Sequence, residues 1–213
     1  MNCFTKLAAT ISDMTELSAF YLQNLEPVLQ RLKDGLHKHY YYHDVRHTLD
    51  VIEQSQAIGK LEGVTERELE ILKIAALFHD TGFLKVRSGH EQASVDFFQS
   101  IGGKSALTHE DCDTITGCIR ATHMPQTPLN HLEQILCDAD LDYLGREDFG
   151  LIGENLFLEM SACGEMSDRF TWDNLQVKFL EAHKFHTTSN QARRDGKKAE
   201  NLNEVRLRVD QKS

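Results

Sequence analysis

The side chains best suited to chemistry in this chain are the dipeptide His79-Asp80, the pair His43 and His47, the single histidines His90 and His123, and Asp140 within CDADLDYLG. A His and an Asp at the core-facing end of an apolar helix are costly to bury unless something compensates them. A divalent metal compensates both, and so does a plain hydrogen bond between the two; the dipeptide alone leaves both readings open. His43 and His47 are four apart, so on a helix two imidazoles can point into one pocket, although surface pairs at this spacing are common. His90 falls in the first turn of a helix, and His123 at a helix end where Pro125 and Pro128 prevent continuation. Of three alternating aspartates, Asp140 lies next to the Leu136 face and is expected inside. Asp138 and Asp142 share another side and are expected outside.

These groups need helices to position them. Thr65 to Gly82 predicts one amphipathic helix, with Thr65 and Glu68 as a capping box and Gly82 as a left-handed stop. Leu69, Leu72, Ala76 and His79 share its inner stripe. Residues 12–36 predict one or two covering helices, with Pro27 as a start or kink. Over 37–52, His43, His47, Val51 and Gln54 share a face, and Asp50 lies off it, in solvent. Ser88 with Glu91 predicts a second capping box, opening a helix that runs to Gly102-Gly103. Further helices are expected over 108–122, over Leu129–Asp142 with Leu129, Leu132, Leu136 and Ala139 inward, and over 148–162 and 171–186. The last two place Phe149, Ile152, Leu156, Met160, Leu175, Phe179 and Leu180 in the core, with Thr171 as a cap and His183 and His186 structural or exposed. With only three prolines and no alternating strand pattern, the fold class is all-α: a single globular helical bundle over 1–189, followed by a charged helix or tail over 190–213.

At 213 residues the chain can bury a core without disulfides. Its five cysteines (Cys3, Cys112, Cys118, Cys137, Cys163) are odd in number, form no CxxC pair and suit a reduced protein. The longest wholly apolar run, Ile74 to Phe78, is too short for a membrane span, and the N-terminus has no signal-peptide pattern, so a cytoplasmic location is expected. The net charge is −10; residues 184–213 carry eight Lys or Arg against four acids, which leaves −14 on the body. Such a body argues against non-specific binding to nucleic acid. The cationic tail is a candidate homodimer contact.

The inward groups His47, His79, Asp80, His90, His123 and Asp140 each come from the end or face of a different helix, so a bundle can gather them. Their order, H…HD…H…H…D, resembles the HD-domain superfamily of metal-dependent phosphohydrolases. The segments YHDVRHTLDV, AALFHDTGF, GHEQAS and CDADLDYLG carry the resemblance over residues 40–145. It implies that His47, His79, Asp80 and Asp140 hold one metal, and that Asp80 bridges to a second bound by His90 and His123. It also implies a bridging hydroxide that attacks a phosphoester, with Asp80 counted among the catalytic residues. Imidazole and carboxylate ligands suit Mn, Fe, Co, Ni or Zn better than Mg. ATHMPQTP stands where the cyclic-di-nucleotide branch has its HH and GYP signature, which counts against cyclic-di-GMP.

YHDVRH is similar to the YHNxxH segment of class I cyclic-nucleotide phosphodiesterases, where the first His protonates the leaving oxygen. His43 either takes that role or is a supporting or surface histidine. Lys85, Arg46 and Arg120 lie near the motif ends and either hold substrate oxygens or form exposed salt bridges. The expected function is hydrolysis of a nucleotide or other small phosphoester, with no membrane partner. The alternatives are an HD-type mixed-valent diiron oxygenase and a non-catalytic signalling scaffold.

Overall fold

Residues 69–78 are apolar nearly all round, and the helix they form is the one about which the rest is packed. The computed structural model describes residues 14–211. Cys3, the N-terminal stretch, the start of the 12–36 segment and the end of the tail lie outside them. Among the described residues there is no strand. In chain order the helices are α1 (Glu16–Gly35), α2 (Val45–Leu61), α3 (Glu66–Phe78), α4 (His90–Gly102), α5 (His109–Ala121), α6 (His131–Asp140), α7 (Phe149–Ala162), α8 (Arg169–Ala182) and α9 (Thr188–Asp210). Short 3₁₀ turns at Thr81–Leu84 and Asp142–Gly145 follow α3 and α6. The fold is all-α, as the periodicity predicts.

The capping box of Thr65 and Glu68 forms at the start of α3. From there Ile71, Leu72, Ile74, Ala75, Ala76, Leu77 and Phe78 are all buried, so α3 is not amphipathic but sheathed. It touches α1, α2, α4, α5 and α6. One apolar cluster forms around it, including Phe20, Val51, Ile58, Leu72, Phe78, Phe98, Ile119 and Leu136. A second, smaller cluster lies on the α7–α9 side: Tyr42, Leu144, Phe149, Leu180, Phe185 and Val205.

Several local expectations are corrected. Gly82 has no positive φ; the left-handed glycines are Gly63, Gly89 and Gly164. Gly82 is needed for a close approach instead, since a Cβ there would lie 1.9 Å from the His90 carbonyl oxygen. Ser88 does not cap α4; left-handed Gly89 precedes it without a side-chain cap. Asp168, not Thr171, caps α8. Leu129 lies outside α6 and is 90% exposed, because Asn130 caps the helix at His131. Pro27 sits within one continuous helix.

Asp138 and Asp142 are fully buried rather than outside. Asp138 accepts from the His186 and Thr187 amides and the Thr187 hydroxyl, at 2.6–2.8 Å, and so holds the start of α9. Asp142 takes a two-pronged pair from Arg194 at 2.7 and 2.9 Å. The charged C-terminal segment is therefore a docked helix, with Asn190, Asn201 and Val205 buried and packed on α8 and the second 3₁₀ turn. Asp50 is not free in solvent either; it pairs with Arg146 at 2.8 Å. Cys118 and Cys137 are buried free thiols, while Cys163 is exposed.

Candidate metal centre

α3 ends at Phe78, and His79 and Asp80 follow directly at its C-terminal end. His79 is the C-cap, and its Nδ1 lies 2.7 Å from the Ala76 carbonyl oxygen. That bond fixes Nδ1 as the donor and leaves the lone pair of the neutral ring on Nε2. His47 is placed by the first turn of α2, whose N-cap Asp44 accepts from the His47 amide at 3.3 Å. Its Nε2 lies 3.3 Å from His79 Nε2, 3.4 Å from Asp80 Oδ2 and 3.1 Å from Asp140 Oδ1. His79 Nε2 lies 3.3 Å from Asp80 Oδ2 and 3.7 Å from Asp140 Oδ1. Asp140 is the last residue of α6. Two imidazoles and two carboxylates thus converge, and the ligand atoms of His47, His79 and Asp80 all lie within 4.8 Å of one another.

Lone pairs and anionic oxygens packed this closely repel unless positive charge lies among them. The cluster draws such charge. Burial pulls the His79 pKa down, yet the Asp80 and Asp140 carboxylates more than reverse this and hold it well above an ordinary imidazole. Burial pushes Asp140 up, but the His47 and His79 imidazoles bring it to about 2. Asp80 is likewise held well below the usual carboxylate range, with His79 outweighing its burial. Asp80 Oδ2 is buried without a hydrogen-bond partner. An orphaned oxygen facing two imidazole nitrogens fits a divalent transition metal better than it fits a core hydrogen bond.

The other Asp80 oxygen faces α4. His90 Nε2 lies 3.5 Å from Asp80 Oδ1, and His90 Nδ1 is 3.1 Å from the Arg87 carbonyl oxygen, which again leaves Nε2 as the free nitrogen. Gly82 makes this possible, because α4 begins directly against its backbone, and its amide donates to Ser94 Oγ at 2.7 Å. Asp80 therefore spans two positions, with His47 and His79 on one side and His90 on the other.

His123 does not join them. Its side chain is 64% exposed and its Nδ1 lies 3.0 Å from Glu91 Oε1. Glu91 is buried, and the same oxygen is 3.6 Å from His90 Nε2, so Glu91 stands between the two histidines. Sequence reading assigned Glu91 to a cap. With Gly89 as the N-cap, it faces inward from the first turn of α4.

His43 precedes α2 rather than riding on it, since Asp44 is the N-cap. Its ring still stands 6.0 Å from that of His47 and 6.2 Å from that of His90. Phe83 lies between His43 and His90, with ring centroids at 4.2 and 3.9 Å. His43 Nδ1 is 2.5 Å from Oε1 of Glu159, a fully buried residue of α7. Glu159 also accepts from the Tyr42 and His43 amides at 2.9 and 3.0 Å and from Arg87 at 2.6 Å. Burial pushes Glu159 up, but His43 and Arg87 bring it to about 2. Sequence reasoning passed over both Glu159 and Arg87. The available signal was a lone acid in the apolar run LFLEMSA.

The three expected substrate-binding cations lie elsewhere. Arg46 is exposed and pairs with Asp44 at 2.7 Å and the Tyr41 carbonyl. Arg120 is exposed beside Gln92, and Lys85 is exposed. None lines the cavity of about 350 Å³ that opens from Asp80, His90 and Asp140.

Residues 44–142 match the family model described as HD domain. No curated protein and no solved structure gives a match. The matched segment holds the four converging side chains, His90 and Glu91; His43, Glu159 and α7–α9 fall outside it.

Proposed function

This chain is a member of the HD-domain superfamily through residues 44–142, and on that premise we propose that it is a metal-dependent phosphohydrolase acting on a small phosphoester. His47, His79, Asp80 and Asp140 would hold one divalent ion, with Mn, Fe, Co, Ni or Zn suited to this nitrogen and oxygen set. A second ion would have Asp80 Oδ1, His90 and Glu91, with His123 behind Glu91. Such ions supply Lewis acidity to a phosphoryl oxygen and make a nearby water more acidic.

The observation that carries the hydrolytic reading is the His43–Glu159 pair, in which His43 shares a cavity wall with Asp80, His90 and Asp140 and Glu159 lies buried behind it. With Nδ1 engaged by Glu159 and the ring tilted against Phe83, His43 presents Nε2 as its free nitrogen. In that role it donates a proton to the ester oxygen as the P–O bond breaks; the water oxygen forms the new bond to phosphorus, and the proton that the water loses goes to solvent, from which His43 is recharged. Glu159, desolvated and anionic, stabilises the charged imidazole and keeps it from turning. Arg87 donates to the same Glu159 oxygen, Oε1, at 2.6 Å.

The test is release of the alcohol from phosphate mono- and diesters by purified, metal-loaded protein, with inorganic phosphate as the co-product of monoesters alone. His43→Gln is expected to lower kcat by about 10²- to 10⁴-fold on alkyl esters, and far less on esters of acidic phenols, which leave without a proton. Oxygen consumption without phosphate release would replace this reading with the diiron oxygenase.

A further inference from the structure

The helices α7 and α8 carry apolar residues at core spacing, yet Phe149, Leu156, Met160, Trp172, Leu175 and Phe179 line a cavity instead of filling it. The cavity, of about 350 Å³, is within the range of roughly 300–1,000 Å³ of small-molecule sites. An unfilled apolar space of this size weakens a core. It is also continuous with the metal centre, since Asp80, His90 and Asp140 form one end of the same wall. Among the described residues no lysine or arginine lines it. The nearby Arg87 is committed to Glu159 and Glu165 at 2.6 Å each. Polyphosphates need several cations, and here the wall offers hydrocarbon. At its outer edge Leu175 and Met124 are 42% and 45% exposed. Trp172 is buried in the wall with its indole N–H unpartnered.

We propose that the substrate is a phosphate ester of an uncharged, mainly hydrocarbon alcohol, whose phosphoryl end meets the histidine–aspartate cluster and whose body fills the space between α7 and α8. This rests on the phosphohydrolase reading for its reacting end; the body is assigned by the cavity alone. A mainly apolar wall with a few polar groups at one end is the usual make-up of a small-molecule site.

Trp172 is the sole tryptophan of the chain, so its fluorescence reports occupancy without turnover. The experiment titrates the zinc-loaded full chain with n-butyl, n-hexyl and n-octyl phosphate and with inorganic phosphate, below micelle-forming concentrations. Kd should fall about fourfold per methylene until the space is full, and inorganic phosphate should leave the fluorescence unchanged. Leu156→Phe, which occupies part of the space, should move the break to a shorter chain; if that variant fails to fold, the wild-type series decides. A Kd independent of chain length overturns the proposal, even if phosphate is released from every ester. Chain-dependent binding without phosphate release keeps the cavity assignment and removes the hydrolytic reading.

Discussion

Two apolar clusters flank the histidine–aspartate centre, and they are filled differently. Around α3, Leu72, Ile74, Phe78, Phe98, Ile119 and Leu136 are all fully buried. His47, His79 and Asp80 sit on the rim of that packing and inherit its rigidity. On the α7–α9 side the helices bring equally apolar residues, but Leu156, Met160 and Phe179 stop short of closure and leave space beside the centre. The difference teaches that apolar periodicity marks a face and does not say whether that face meets another side chain or a ligand.

The largest effect should come at the shared rim. Asp80→Ala removes the residue that faces both histidine groups, so metal content and phosphate release should fall to background while the helical circular dichroism persists. Unchanged phosphate release would sink the assignment. Next comes the filled cluster, where Leu72→Ala or Leu136→Ala should cost about 2–5 kcal/mol, measured by denaturant unfolding.

A third test uses two histidines with opposite settings. His79 is held well above its ordinary pKa, so its contribution is complete below about pH 6.5 and constant there. His183 is held down at about 3 by burial, with the Lys198 ammonium and His186 adding to it. Between about pH 6.5 and 4.5 the unfolded chain takes up a proton that folded His183 refuses. Stability should therefore fall by about 1.4 kcal/mol per unit on acidification. His183→Gln should flatten that slope in unfolding measured across the window; an unchanged slope assigns it elsewhere. The smallest effect is expected at the cavity wall, where Leu156→Ala should cost under about 1 kcal/mol because it borders existing space. A loss like that of Leu72 would mean the two clusters are packed alike.

Much of this was legible in the sequence, and the misses have physical reasons. Helix spacing was sufficient to turn His47, His79 and Asp140 towards each other. It misled for Asp138 and Asp142, because their partners, the Thr187 turn and Arg194, lie about fifty residues on. Gly82 reads locally as a stop, because the approach of the His90 backbone is a tertiary fact. Arg46, Lys85 and Arg120 lie near the motifs in sequence, and charge near a motif carries no direction. Glu159 went unnoticed because nothing local shows that a helix 116 residues beyond His43 returns to it.

That return has a practical corollary for anyone excising the recognisable part of this molecule. A fragment cut to residues 44–142 would retain the gathered histidines and aspartates, yet lack both His43 and the carboxylate that steadies it. On the proposed reading the working unit extends through α7 at least, and any trimming should be judged from that longer boundary.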